Sequence, residues 1–73
     1  MPHPVGETRG GVVAVFDERV GLGEIALDDG RLVGFHSTQL EDGSRRVQVG
    51  ARVAARVLRW HRGELEATNV TTR

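Results

Sequence analysis

Short runs of apolar, mostly β-branched residues alternate with polar or glycine-containing turns along most of the chain. Such runs predict strands, and Asp28-Asp29-Gly30 between two of them is typical of a hairpin turn. The predicted strands cover residues 12–16, 20–27, 31–36, 51–60 and 64–72. Five short strands in about 60 residues predict an all-β fold, a small closed barrel, because closure removes the exposed edges of a flat sheet.

Residues 51–62 also fit a helix. Arg52, Arg56, Arg59 and Arg62 follow each other at intervals of four, three and three, which would place them on one side of a helix. As a strand, the same segment points its odd-numbered Val and Ala residues to one side. The neighbouring turn signals and the all-strand context favour the strand. A helix here would prevent the barrel from closing.

The length of 73 residues suits one small domain. Residues 1–9 contain Pro2, Pro4 and Gly6 and little that is apolar, which predicts a flexible N-terminal leader. Residues 10–73 form the predicted barrel.

The formal net charge of zero hides a division between the two halves. Residues 1–43 carry three Arg and eight acids, whereas residues 44–73 carry seven Arg and two acids. The halves either neutralise each other in the folded barrel, or the second half offers a basic strip to a polyanion. A polycationic arm that coats nucleic acid by charge alone is excluded.

Composition also limits the chemistry. The absence of Cys excludes a disulfide scaffold and a Cys-based zinc site, and His3, His36 and His61 lack ligand spacing, so we expect no metal site. No nucleophile has a nearby base at a recognisable spacing, and we expect no catalysis and no cofactor. The longest apolar run, residues 12–16, is far below the ~20 residues of a membrane span, and we expect a soluble cytoplasmic protein.

Glycine-containing motifs stand at residues 11–17 and 21–25, and Phe35-His36-Ser37, Gly50, Val53, Gly63 and Asn69-Val70 follow them. With these residues in this order, the chain from about Gly10 to Thr71 resembles the bacterial cold-shock domain family. The resemblance implies a five-stranded antiparallel OB-type barrel. It also implies binding of single-stranded RNA or DNA on an aromatic face formed by the second and third strands.

Most aromatic positions of the family are changed here. Val15 stands in place of a Trp, and Leu22 and Glu24 replace the aromatics of the second-strand motif. The third-strand motif, Phe-Val-His-Phe-Ser in the family, is aligned with residues 33–37, and Ser44 replaces a loop aromatic. Because each base stacked on a ring contributes about 1–3 kcal/mol, we expect weak binding or an altered mode.

The first hypothesis is therefore a cold-shock-like module for single-stranded RNA or DNA. Phe35 is either a stacking platform or a core or interface residue, and His36 either stacks on a base or makes a hydrogen bond. Trp60 either stacks on a base, anchors a protein interface or covers the barrel end. The predicted nucleic-acid-binding residues are Phe16, Phe35, His36 and Trp60 for bases, and Arg45, Arg56, Arg59 and Arg62 for phosphates.

The second hypothesis is a protein-interaction or self-association module on the same barrel. Aliphatic residues have replaced aromatics on the expected binding face, and an exposed apolar patch on a small protein marks a partner surface. This hypothesis predicts a protein partner or a homodimer that covers Val15, Leu22, Val33 and Phe35.

Overall fold

The computed structural model describes residues 6–59 and 63–73, which form five strands and one short 3-10 turn. The turn, Ser37–Gln39, directly follows the third strand. The strands are β1 (Glu7–Asp17), β2 (Leu22–Leu27), β3 (Leu32–His36), β4 (Arg52–Arg59) and β5 (Leu65–Thr72).

The strands close into a barrel in the order β1-β2-β3-β5-β4, in which β1 pairs with both β2 and β4. The all-β, five-stranded barrel is thus confirmed. One detail differs, because β3 and β5 run parallel where Gly34 faces Glu66. In a closed ring with an odd number of strands, at least one pair of neighbours must run parallel. A closed barrel of five strands therefore cannot be wholly antiparallel.

The ambiguous segment forms a strand over Arg52–Arg59, as the turn signals indicated. Val53, Ala55 and Val57 point into the barrel and are buried, whereas Arg52 and Arg56 are exposed. The end of the predicted strand, at Trp60, lies outside the described residues.

The barrel begins earlier than predicted. β1 starts at Glu7, and its first residues pair with β4, with Glu7 opposite Val57 and Arg9 opposite Ala55. Residues 7–9 therefore belong to the barrel and not to the leader, and residues 1–5 lie outside the described residues. Hydrophobic patterning missed this extension because its side chains form ion pairs, such as Glu7 with Arg31 at 2.9 Å, and bury no apolar surface.

The core fills the barrel interior with alternate residues from every strand. Ile25 and Val33 are among its largest fully buried side chains, and Leu40 contributes from the connection after β3. The complete set is Val13, Ile25, Leu27, Val33, Phe35, Leu40, Val53, Ala55, Val57, Ala67 and Val70.

Ion pairs at the turn of the β2–β3 hairpin predict loss of stability in acid. The guanidinium groups of Arg9 and Arg31 lower the pKa of Glu7 below its ordinary 4.5, and Arg31 lowers that of Asp29 below 3.8. Because the pKa values of Glu7 and Asp29 are lower in the folded state, the ion pairs stabilise the fold fully at a pH above the ordinary pKa values. This stabilisation is lost as the pH falls through the lowered pKa values.

We expect Arg31→Gln to lower the melting temperature at pH 7 by a few degrees, since the pairs are exposed to solvent. The difference from the parent chain should shrink as the pH falls below the ordinary pKa values of Glu7 and Asp29. Thermal unfolding followed by circular dichroism from pH 7 to pH 2 measures this. Arg56→Gln, at an arginine without a carboxylate partner in the described part of the chain, should show no such pH dependence. A constant difference for Arg31→Gln would contradict the prediction.

Candidate functional site

The outer surface of β1, β2 and β3 is the face that the resemblance assigns to nucleic acid. A bulge in β1 between Val13 and Val15 shifts the inward–outward alternation of side chains by one residue. After the bulge, Val15 points outward and Phe16 points inward. Strand pairing then forms two outward rows across the three strands. We call these residues the outer face: Val15, Glu24 and Gly34 in one row, and Asp17, Leu22 and His36 in the other.

The outer face continues onto β5 as a cleft of about 480 Å³. Gly34 lies between Glu24 on β2 and Glu66 on β5, and its missing side chain leaves the space between the two carboxylates. Leu22 and Val15 form aliphatic walls, 46% and 49% exposed. We call this depression the acidic cleft; it is lined by Val15, Asp17, Leu22, Gly23, Glu24, Gly34, Phe35, His36, Glu64, Leu65 and Glu66.

Phe35 is a core residue, which is one of the alternatives that the sequence left open, and it is not exposed as a stacking platform or an interface residue. It is 2% exposed, and its ring stacks on that of Phe16 with centroids 5.9 Å apart and 7° between the planes. Val33, predicted in the same interface patch, is 1% exposed. Alternation along β3 turns residues 33 and 35 inward and residues 34 and 36 outward.

The alignment of the third-strand motif with residues 33–37 is one residue out of register with the structure. A shift by one residue moves every side chain of a strand to its other face. If the motif begins at Gly34 instead, its His falls on His36, which points outward, and its two Phe positions fall on Gly34 and Ser37. β3 therefore presents no Phe ring to the outer face, and its one outward-facing ring is the imidazole of His36.

His36 is exposed on the outer face but has an acidic neighbour. Its Nε2 atom lies 3.9 Å from Oε2 of Glu66, with the imidazole 58% exposed. The structure thus brings His36 next to a carboxylate. Sequence reasoning missed Glu66, because only the parallel pairing of β5 with β3 places it there.

Phe16 is half-buried, and it also lines a second depression at the barrel end. There it adjoins Arg46, whose Nε donates to Oε2 of Glu18 at 2.7 Å. We call this the loop-end pocket; it is lined by Phe16, Glu18, Arg46, Val47, Gln48, Ala51 and Thr72 and has a volume of about 370 Å³.

Arg45 precedes this pocket in the β3–β4 connection, with a left-handed backbone at φ 60°. Ser44 holds the turn, since its Oγ donates to the carbonyl of Arg46 at 3.0 Å and accepts from that residue's N–H at 3.1 Å. Arg45 is exposed and forms no ion pair within the described residues. Arg45 is thus an exposed cation that directly precedes the pocket residue Arg46 along the chain.

The other predicted arginines do not join one site. Arg56 is exposed on β4 between Thr8 and Thr68, and the Arg59 guanidinium donates to the carbonyl of Gly63 at 3.0 Å. Trp60 and Arg62 lie outside the described residues. Arg56 and Arg59 line neither the acidic cleft nor the loop-end pocket.

Among the described residues, no group of three His, Cys, Asp or Glu side chains could hold a metal ion. No helix in the same part of the chain is long and apolar enough to cross a membrane.

No family model matches the sequence, and no curated protein does. Among solved structures, the barrel is similar to the drosophila Unr CSD456 structure, with a TM-score of 0.76 and 22% sequence identity. The similarity covers 93% of this chain and 27% of that one. Together with the closed strand order, it shows that the chain has the fold of a cold-shock-like β-barrel.

Proposed function

We propose that the chain is a module that binds single-stranded RNA or DNA weakly, at the loop-end pocket and not on the outer face. The observation that carries the proposal is the half-buried ring of Phe16 beside Arg46, with the unpaired Arg45 next to it along the chain. Single-strand binding combines a ring on which a base stacks with cations that meet the backbone, and this pocket has both. The likeness to a cold-shock-domain structure supports the class of ligand.

The outer face is poorly suited to the same ligand. Four carboxylates line the acidic cleft, and they would repel the phosphates of a bound strand. The only ring that faces out of β2 and β3 is the imidazole of His36, which lies beside Glu66. A strand on this face would gain little stacking and meet like charge.

The proposed pocket predicts low affinity. One ring supplies about 1–3 kcal/mol of stacking, and Arg46 is already paired with Glu18. Arg45 is the cation available without breaking an internal ion pair. Because few phosphates are neutralised, we expect the logarithm of the affinity to fall with the logarithm of salt with a small slope.

Fluorescence anisotropy of labelled eight-nucleotide oligo(U) and oligo(dT) in a salt titration tests the proposal. We expect binding tighter than about 10⁻⁴ M at low salt, weakened roughly threefold to tenfold by Arg45→Gln. Arg9→Gln is the matched control, because Arg9 pairs with Glu7 at the other end of β1. Absence of binding tighter than about 10⁻⁴ M at low salt, or equal weakening by both variants, would contradict the proposal.

Part of the apolar patch that the protein-interaction hypothesis predicts is exposed in the structure. Val33 and Phe35 lie in the core, but Val15 and Leu22 remain about half exposed, at 49% and 46%. These two residues are the aliphatic walls of the acidic cleft. A partner surface is therefore supported at the cleft, with a smaller apolar area than the sequence indicated.

A further inference from the structure

We infer that the loop-end pocket selects guanine, and that the ion pair between Glu18 and Arg46 binds the Watson–Crick edge of this base. The inference rests on the proposed function and names the base that the same site takes. Three features of the pocket carry it: an apolar floor, two backbone segments fixed to β1, and an ion pair with unused donors and acceptors.

The floor of the pocket suits a planar base. Phe16 is half-buried, and its ring lies parallel to the buried ring of Phe35, with 7° between the planes. Val47 and Ala51 are partly buried and pack against the hydrophobic core. The pocket volume of about 370 Å³ lies in the range of small-ligand sites, about 300–1,000 Å³. A base held on this floor can reach the polar side chains of the same pocket with its edge.

Backbone hydrogen bonds hold both segments that form the pocket. Glu18 lies in the turn after β1, where the N–H of Gly21 donates to the carbonyl of Asp17 at 2.8 Å. On the other side, the N–H of Gly50 donates to the carbonyl of Val13 at 2.8 Å and ties the segment before β4 to β1. Because both segments are fixed on the same strand, a ligand has less backbone to order when it binds.

The ion pair in the pocket leaves polar atoms free for a ligand. Nε of Arg46 lies 2.7 Å from Oε2 of Glu18. Within the described residues, Oε1 of Glu18 and the two Nη groups of Arg46 have no hydrogen bond or further ion pair. The side chains are 57% and 75% exposed, so a base can reach them. The pair therefore offers two acceptor oxygens next to a group of donors.

Guanine is the base whose edge complements this arrangement. It presents the N2 and N1 donors side by side, followed by the acceptor O6, so a carboxylate can accept from both donors while a guanidinium donates to O6. Uracil would turn a carbonyl oxygen toward the carboxylate, cytosine presents two adjacent acceptors, and adenine has a single donor group. Unstacked bases of single strands are bound on this edge.

The other polar side chains of the pocket do not discriminate in this way. Gln48 and Thr72 line it as well, and each can both donate and accept a hydrogen bond. Arg46 also compensates the charge of Glu18, so that the carboxylate does not simply repel a polyanion. Arg45, without an ion pair of its own in the described residues, is left to meet a phosphate.

Fluorescence anisotropy with labelled RNA octamers tests the inference on the full chain. The octamers are oligo(U) and oligo(U) with guanosine, inosine or adenosine at the fourth position. We expect guanosine to strengthen binding about tenfold over oligo(U). Inosine lacks only the N2 amino group and should bind about threefold more weakly than guanosine. Adenosine controls for purine stacking and should gain less than about threefold. Equal affinities for the guanosine and adenosine octamers would overturn the inference.

Glu18→Gln tests the role of the carboxylate. Its amide keeps one acceptor and sets an NH₂ donor against the donors of guanine, so the preference for guanosine over uridine should fall to about threefold or less. The affinity ratio is the readout, because loss of a negative charge strengthens binding of every octamer. Glu24→Gln removes the same charge from the outer face and should leave the ratio unchanged. A ratio that Glu18→Gln leaves intact, or that both variants lower equally, would overturn the inference.

The same titrations separate this inference from the proposed function. If all octamers bind equally well and Arg45→Gln weakens each of them, the pocket binds single strands without selecting guanine, and only the inference fails. If no octamer binds tighter than about 10⁻⁴ M at low salt, the proposed function fails and the inference fails with it.

Discussion

Replacing Phe35 by Ala is expected to unfold most of the protein at 25 °C. Phe35 is 2% exposed and its ring stacks on that of Phe16, so truncation leaves a large cavity inside the barrel. Phe→Ala changes in cores destabilise by about 3–5 kcal/mol, and a core of this size supplies a net stability of the same order. Urea unfolding followed by circular dichroism measures the loss.

Val15→Ala is the matched control for this prediction. Val15 is 49% exposed on the outer face, so its truncation should change the free energy of unfolding by about 0.5 kcal/mol or less. A Phe35→Ala variant that keeps the parent's unfolding midpoint and loses only nucleic-acid binding would show that the ring contacts the bound strand at the surface. That result would reinstate Phe35 as a stacking platform.

Gly23→Ala should destabilise the barrel far more than Gly34→Ala, although the two glycines lie on neighbouring strands. A Cβ on Gly23 would come within 2.6 Å of Cε1 of Phe35 and 2.7 Å of the carbonyl oxygen of Val15. Neither neighbour can move freely, since the ring is packed in the core and the oxygen belongs to the β1 backbone. Overpacking of this kind typically destabilises by about 1–3 kcal/mol, and we expect the upper part of that range.

Thermal unfolding of the two variants measures the difference directly. For a domain of this size, 1 kcal/mol shifts the melting temperature by about 4–8 °C, so Gly23→Ala should melt roughly 10 °C or more below the parent. Gly34→Ala should melt within a few degrees of it, because its Cβ meets nothing closer than 3.7 Å. Similar melting temperatures for both variants would mean that β2 packs on Phe35 less closely than the structure has it.

The number of strands and most of their positions could be predicted from local patterns. β4 forms over Arg52–Arg59 because Val53 and Val57 alternate with exposed residues and glycines bound the segment, and this period prevailed over the helical spacing of the arginines. The start of β1 could not be predicted in the same way. Glu7 contributes to the barrel through backbone pairing and ion pairs, neither of which leaves an apolar signal.

The site was harder to predict because it depends on register. Aligning the family motif with β3 one residue too early placed Phe35 on the outer face and gave Gly34 no role. In the structure, Phe35 lies in the core and Gly34 lies on the outer face. Glu66 enters the site only through the parallel pairing of β5 with β3, a contact between residues far apart in the sequence. The acidity of the cleft could not be predicted from the sequence, because only the folded barrel brings Glu24 and Glu66 to either side of Gly34.

The claim at the centre of this account is that a single strand contacts the loop-end pocket while the outer face stays free. Amide chemical-shift mapping of the ¹⁵N-labelled chain during titration with oligo(U) tests it most directly. We predict progressive shifts at Phe16, Arg45 and Arg46, and none at Leu22 or Glu24. Shifts concentrated on Leu22 and Glu24, with the loop end unchanged, would contradict it.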